Sequence, residues 1–208
     1  MKELEIKIKL IEFLLASSFS ESFLAAEVRF SFGARRADIV AIDDEVATVF
    51  EIKSANDSVD RLHYQVESYK EYFDYCYIVC VKENISSVRS KISKNIGIVI
   101  VDDNGVTIKR KAGRSARLNK IALASTLPVS ELKRITLEKN KTSKYDLCVI
   151  LSQEKSLAEI KELSRNYLLT TIKKNFSIFN SEVGEKISPD DILTITRMPP
   201  GVISRLPK

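Results

Sequence analysis

The 208-residue chain has a single histidine, His63, and only three cysteines, Cys76, Cys80 and Cys148. His63 has no cysteine and no second histidine at ligand spacing, which argues against a zinc site and against histidine-based nuclease chemistry. The cysteines are odd in number and form no CxxC pair, as expected in a reducing compartment. Cys76 and Cys80 stand four apart in an apolar run and read as packing residues. No apolar run approaches the roughly 20 residues needed to cross a bilayer. The N-terminal MKELEIKIKLIEFLL mixes acids and bases throughout and lacks a signal-peptide layout. Neither a Walker-type nor a G-x-G-x-x-G loop is present, which disfavours nucleotide-dependent phosphoryl transfer. There is no internal repeat and no low-complexity stretch. The expectation is a cytoplasmic globular protein with no membrane partner.

What is present is an ordinary balance, 44% hydrophobic and 29% charged, distributed unevenly in sign. Residues 1–106 hold 13 Lys/Arg against 18 Asp/Glu, and residues 107–208 hold 20 against 10, so the net +5 joins an acidic half to a basic half. The densest tract, TIKRKAGRSARLNK over 107–120, has six basic residues and no acid. This asymmetry suits a polyanion-binding surface beside a cation-binding pocket, although a solvated face has the same composition.

The patterning predicts a helix over 2–16, with Leu4, Ile8, Ile11 and Leu15 on one face. From Ala26 the period changes to two: Val28, Phe30 and Phe32 alternate with Arg29 and Ser31 in a strand ending at Gly33. Strands follow at 37–42 and 46–54, close enough to pair antiparallel across the Asp-Asp-Glu turn. A helix is predicted over 58–73, with Asn56, Asp57 and Ser58 as N-cap candidates and Val59, Leu62, Val66, Tyr69 and Phe73 as its apolar stripe. YCYIVCV at 75–81 reads as a strand buried on both faces. A helix over 84–95, a strand over 96–101 and an edge strand over 106–109 complete an α/β domain that ends near residue 112. Beyond Gly113 helices are expected at 118–139, 143–151 and 157–175, a small helical unit packed on the α/β domain and punctuated by Pro189 and Pro199–Pro200–Gly201.

The informative segments are Arg36–Ala–Asp38–Ile–Val–Ala–Ile and Val49–Phe–Glu51–Ile–Lys53–Ser. Residues two apart on a strand share a face, so Glu51 and Lys53 project together. Pairing around the Asp43–Val46 turn puts Asp38 opposite Glu51. Carboxylates on otherwise apolar strands are costly unless paired or metal-bound, and a hard cation such as Mg²⁺ takes one or two carboxylates plus waters and phosphate oxygens. A hairpin across Gly33 would bring Glu27 opposite Asp38. Glu12, an acid inside the apolar run KLIEFLLA, is the other candidate for completing the site. Taken singly, Asp38 could start a turn, and Glu51 and Lys53 could form an edge salt bridge. Their clustering on adjacent strands favours the metal site.

An Asp followed by Glu-x-Lys on the next strand resembles the PD-(D/E)XK nuclease superfamily, with RADIVAI and VFEIKS as the matching segments. Gln65–Val–Glu–Ser–Tyr69 on the following helix is similar to the Q-x-x-x-Y motif of RecB-type nucleases. The run also resembles small bacterial proteins of unassigned function and repair endonucleases of the MmcB type. The similarity covers about residues 1–101. The proline that often precedes the Asp is replaced by Arg36–Ala37.

The resemblance implies a restriction-endonuclease-like core, a mixed sheet flanked by helices in the order αβββαβ, over 1–112, with a helical C-terminal extension over 113–208. It implies a metal-dependent nuclease hydrolysing phosphodiester bonds of DNA. Asp38, Glu51 and the carbonyl of Ile52, with Glu27 or Glu12, would ligate Mg²⁺ or Mn²⁺. Lys53 would orient the attacking water and stabilise the transition state, while Gln65 and Tyr69 would position water or substrate. Arg36 and Arg61 are candidate phosphate contacts. The tract carrying Lys109, Arg110, Lys111, Arg114 and Arg117 would guide the nucleic-acid backbone. A homodimer is compatible with this family, although no residue demands one. The rival reading is a non-catalytic module that keeps the fold to bind nucleic acid or protein.

Overall fold

A computed structural model describes residues 1–138, 140 and 143–196. Helix α1, Glu3–Leu15, begins with Glu3 and Glu5 in its first turn, where carboxylates favour the helix dipole. The Glu5 carboxylate also accepts the Lys2 backbone N–H at 2.7 Å. The face α1 buries is Ile6, Lys7, Leu10, Ile11 and Leu14, whereas Leu4 stays 43% exposed. The predicted stripe is therefore rotated: apolar residues surround most of the helix, and spacing alone does not select the inner face.

Six strands in sequence order form one mixed sheet: β1 Phe23–Phe30, β2 Arg35–Asp43, β3 Val46–Lys53, β4 Tyr75–Val81, β5 Gly97–Asp102 and β6 Gly105–Arg110. β1–β2–β3 is an antiparallel meander, β3–β4 and β4–β5 are parallel, and β6 returns antiparallel. Parallel neighbours need crossovers, supplied by α2 (Leu62–Tyr72) and α3 (Ile85–Lys91). β1 starts earlier than its alternation predicts and stops at Phe30. Ser31, Phe32 and Gly33 all take positive φ in a tight turn, which turns Phe32 out of the sheet and leaves it exposed.

α2 starts at Leu62, four residues later than predicted, because the cap candidates are used in a loop. Asp57 accepts the Ser54 N–H at 2.7 Å, and Ser58 Oγ accepts the Asp60 N–H at 3.1 Å. The single helix expected over 118–139 is two, α4 Lys120–Ala124 and α5 Val129–Thr136, with Pro128 at the N-cap of the second. α6 (Lys144–Glu154), α7 (Leu157–Glu182) and α8 (Pro189–Ile195) complete the helical C-terminal part. Pro189 opens a helix with Ser188 capping it, and Pro199–Pro200–Gly201 lie outside the described residues.

α7 spans both hydrophobic clusters. Ile160 near its start packs with Leu123, Leu132, Leu147 and Leu151 from α4–α6. Leu168, Ile172, Phe176 and Phe179 join the main core with Ile192 and Ile195 of α8. The core thus continues beyond residue 112. A buried ionic hub also ties the two parts together. Asp74, just before β4 and fully buried, accepts from Arg165 of α7 at 3.0 and 3.2 Å and from the Ala47 N–H at 3.1 Å, with Lys161 at 2.9 Å. These cations and donors hold the Asp74 carboxyl below its ordinary pKa, although burial alone would raise it. No helix among the described residues is long and apolar enough to cross a membrane.

Candidate functional site

The site forms where the C-terminal end of β3 meets the start of β2 and the first turns of α2. The β2–β3 ladder runs from Asp43↔Val46 to Ile39↔Phe50, so the next step sets Asp38 across from Glu51. Instead of continuing the ladder, the Asp38 carboxylate accepts the Ile52 N–H at 2.7 Å. The β1–β2 ladder, with Ala26↔Ile39 and Val28↔Ala37, sets Glu27 across from Asp38 and skips that one pair. Glu27 has φ of +56°. A non-glycine residue in the left-handed region costs about 1 kcal/mol, and such strain concentrates at functional positions.

Glu51 is 3% exposed on a strand buried on both faces. Its Oε1 accepts from Lys53 Nζ at 2.8 Å and from Gln65 Nε2 at 2.6 Å, and its Oε2 accepts from the Tyr69 hydroxyl. β3 thus presents Glu51 and Lys53 on one side, and α2 lays Gln65 and Tyr69, one helical turn apart, over the carboxylate. Burial and the Glu51 charge push the Tyr69 phenol far up, so it remains a donor. Asp38, half-buried, is pushed up to about 7 by burial and by the negative charge of Glu51, against the lowering effect of the Ile52 N–H and of Lys7.

Two residues of α1 complete the arrangement. Lys7, 6% exposed, donates to Glu27 at 2.5 Å and to Glu3 at 3.2 Å. Burial alone would lower its pKa, but Glu27 and Glu3 raise it above the ordinary lysine value. Ligand-capable oxygens of Glu3, Glu27 and Asp38 lie within 4.8 Å of one another. Of the two acids left open by the sequence, Glu27 is the one that meets Asp38. Glu12 is exposed on α1 and lies outside this group. Glu3 and Lys7 were missed. The signal for Lys7 was a cation flanked by Ile6 and Ile8, four residues after an acid.

Lys53 and Gln65 open onto a cleft of about 880 Å³ lined also by Arg35, Ser58, Asp60, Arg61 and Tyr64. A smaller recess of about 160 Å³ lies between Phe30, Arg35, Arg36, Gln65 and Tyr69. Arg36 is ion-paired through Nε with Glu27 and lines the smaller recess. Arg61 does line the cleft. The basic tract does not: Arg110 donates to the carbonyls of Ile96 and Ser93, Arg114 stands 3.6 Å from Asp74, and Arg117 pairs with Glu67 at 2.6 Å. Lys111 lines a separate pocket with Phe19, Tyr75 and Tyr77, and Lys109 borders neither recess of the site. The internal carbonyl and carboxylate partners of Arg110, Arg114 and Arg117 are distant in the chain.

The sequence profile of the family described as bacteriophage P4 protein cII matches residues 1–196. The chain belongs to that family. Protein cII of Enterobacteria phage P4 is 30% identical over 212 residues, covering 95% of this chain and 78% of the relative. Both the α/β sheet and the helical C-terminal part therefore lie within what defines the cII family. A solved structure, the SPO1766 protein of unknown function from Silicibacter pomeroyi, is 13% identical and covers 78% of this chain and 92% of its own, with a TM-score of 0.43.

Proposed function

We propose that this chain is a metal-dependent nuclease of the PD-(D/E)XK type, acting on DNA with Mg²⁺ or Mn²⁺. On this reading the α/β part is a restriction-endonuclease-like core. The observation that carries the proposal is Glu51, an acid on a central buried strand whose two oxygens are held by Lys53, Gln65 and Tyr69, with Asp38 across from it.

The donor set fits a hard divalent cation: carboxylate oxygens of Glu3, Glu27 and Asp38 lie within 4.8 Å of one another, and no thiol or imidazole belongs to that group. Charge fits as well. Lys7 and Arg36 already neutralise Glu27, whereas Asp38 resists ionisation because it is buried and because Glu51 is near. Asp38, Glu51 and the Ile52 carbonyl are the groups that would hold one ion. Such an ion lowers the pKa of its water and neutralises the scissile phosphate. Lys53, beside Glu51 and open to the cleft, would donate to a phosphate oxygen or hold the attacking water. Tyr69, almost wholly buried with its hydroxyl on Glu51, would fix the Glu51 carboxylate. Gln65 reaches both Glu51 and the cleft.

A non-catalytic binding module is the second reading, favoured by the fact that both Glu51 oxygens already have protein partners. Cleavage of mixed DNA substrates in Mg²⁺ or Mn²⁺, against EDTA, separates the two. Metal-dependent cutting lost in Lys53→Ala and in Asp38→Ala supports the nuclease. No cutting on any substrate, with DNA binding unchanged in both variants, supports the module.

A further inference from the structure

Two guanidinium groups and one aromatic ring stand ready in the cleft beside Lys53. Arg35, at the start of β2, and Arg61, at the N-cap of α2, are both exposed and line the cleft with Lys53. Among the described residues neither makes a side-chain hydrogen bond or ion pair. This sets them apart from Arg36, Arg110, Arg114 and Arg117, which are committed within the protein. The acid in the cleft, Asp60, is engaged by Ser58 at 2.9 Å and stands 3.9 Å from Lys91. The uncommitted charge facing the cleft is therefore positive.

Tyr64 lies in the same cleft, on α2, one residue before Gln65. It is 69% exposed, with the His63 ring edge-on at 5.8 Å. The other exposed aromatics, Phe32 and Tyr145, are in contact with each other, their ring centroids 6.0 Å apart. An exposed ring flanked by free guanidiniums meets the two needs of an unpaired nucleotide, a face for the base and cations for the flanking phosphates. Paired bases are already stacked and offer no face to such a ring.

We propose that the cleft takes single-stranded nucleic acid, a base stacking on Tyr64 while Arg35 and Arg61 hold the phosphates on either side. This names the substrate class of the proposed nuclease and rests on that reading for the cutting step, whereas the binding stands by itself. The strand would pass Lys53 and Gln65, so the phosphate beside the stacked base is the one delivered to Asp38 and Glu51.

The test is fluorescence anisotropy in EDTA with a labelled 20-mer of deoxythymidine, the matching uridine 20-mer and a duplex of the same length. The expected result is tighter binding of the single strands than of the duplex. Tyr64→Ala should weaken single-strand binding on the order of ten-fold, with Tyr64→Trp restoring it. Arg35→Ala and Arg61→Ala should each weaken binding and shallow its salt dependence. Equal binding of both single strands supports recognition of the base face; preference for the deoxy strand supports it with DNA as the source. Duplex bound as tightly as single strand, or Tyr64→Ala without effect, overturns the inference. Because no cleavage is needed, Tyr64-dependent binding without metal-dependent cutting would remove the nuclease reading and leave this one. Cutting of duplex with no role for Tyr64 would do the reverse.

Discussion

Replacing Asp38 by Asn should stabilise the protein, and more so the higher the pH. The side chain keeps its shape, and an amide oxygen can still accept the Ile52 N–H. What disappears is a charge that the fold resists. The unfolded chain ionises Asp38 near its ordinary 3.8, whereas in the folded protein burial and Glu51 push it up to about 7. Between those values the folded state binds the extra proton, so stability falls as pH rises through the window and the full penalty is reached above it. A gap of about three pH units at ~1.4 kcal/mol each sets a ceiling of about 4 kcal/mol at pH 8. For a chain of this length each kcal/mol moves the melting midpoint by roughly 2–4 °C, so the variant should melt on the order of 10 °C higher at pH 8. At pH 4 the two proteins should nearly coincide. Thermal unfolding followed by circular dichroism at pH 4, 6 and 8, without divalent ions, makes the comparison. A melting difference that does not grow with pH would refute the argument, since it would show that the ionised Asp38 is not what the fold resists.

Glu51→Gln and Lys53→Ala should each lower metal-dependent cutting by 10² or more, read as initial rates on a labelled substrate. Only the glutamate variant should also lose divalent-ion binding. Asp74→Ala strands Arg165, 1% exposed, beside the Tyr72 carbonyl, and should cost about 3–5 kcal/mol in urea unfolding. Leu137, 83% exposed with φ of +55° at the C-cap of α5, should be replaceable by Gly with a gain of about 1 kcal/mol in the same assay.

The strand part of the site was legible because it depends on local order. A short turn at Asp43–Val46 and strict alternation leave one register, and that register sets Asp38 across from Glu51. The helical part was legible in kind but not in role. Gln65 and Tyr69 share a face, but that both would close on Glu51 depends on how α2 lies over β3. The contribution of α1 was not legible. That helix is apolar on most sides, so Glu12 stood out as the misplaced acid while Lys7, on the buried face, did not. The basic tract was legible in charge but not in its contacts: Asp74, Glu67 and the carbonyls that meet Arg114, Arg117 and Arg110 are brought near only by the tertiary fold.

The most direct test of the central claim, that Asp38 and Glu51 form a site for one divalent ion, is a Mn²⁺ titration by isothermal calorimetry at pH 6, below the raised Asp38 value. The account predicts one ion per chain, with proton release on binding because Asp38 must ionise, and loss of binding in Glu51→Gln. No binding, or binding undiminished in Glu51→Gln, would contradict it.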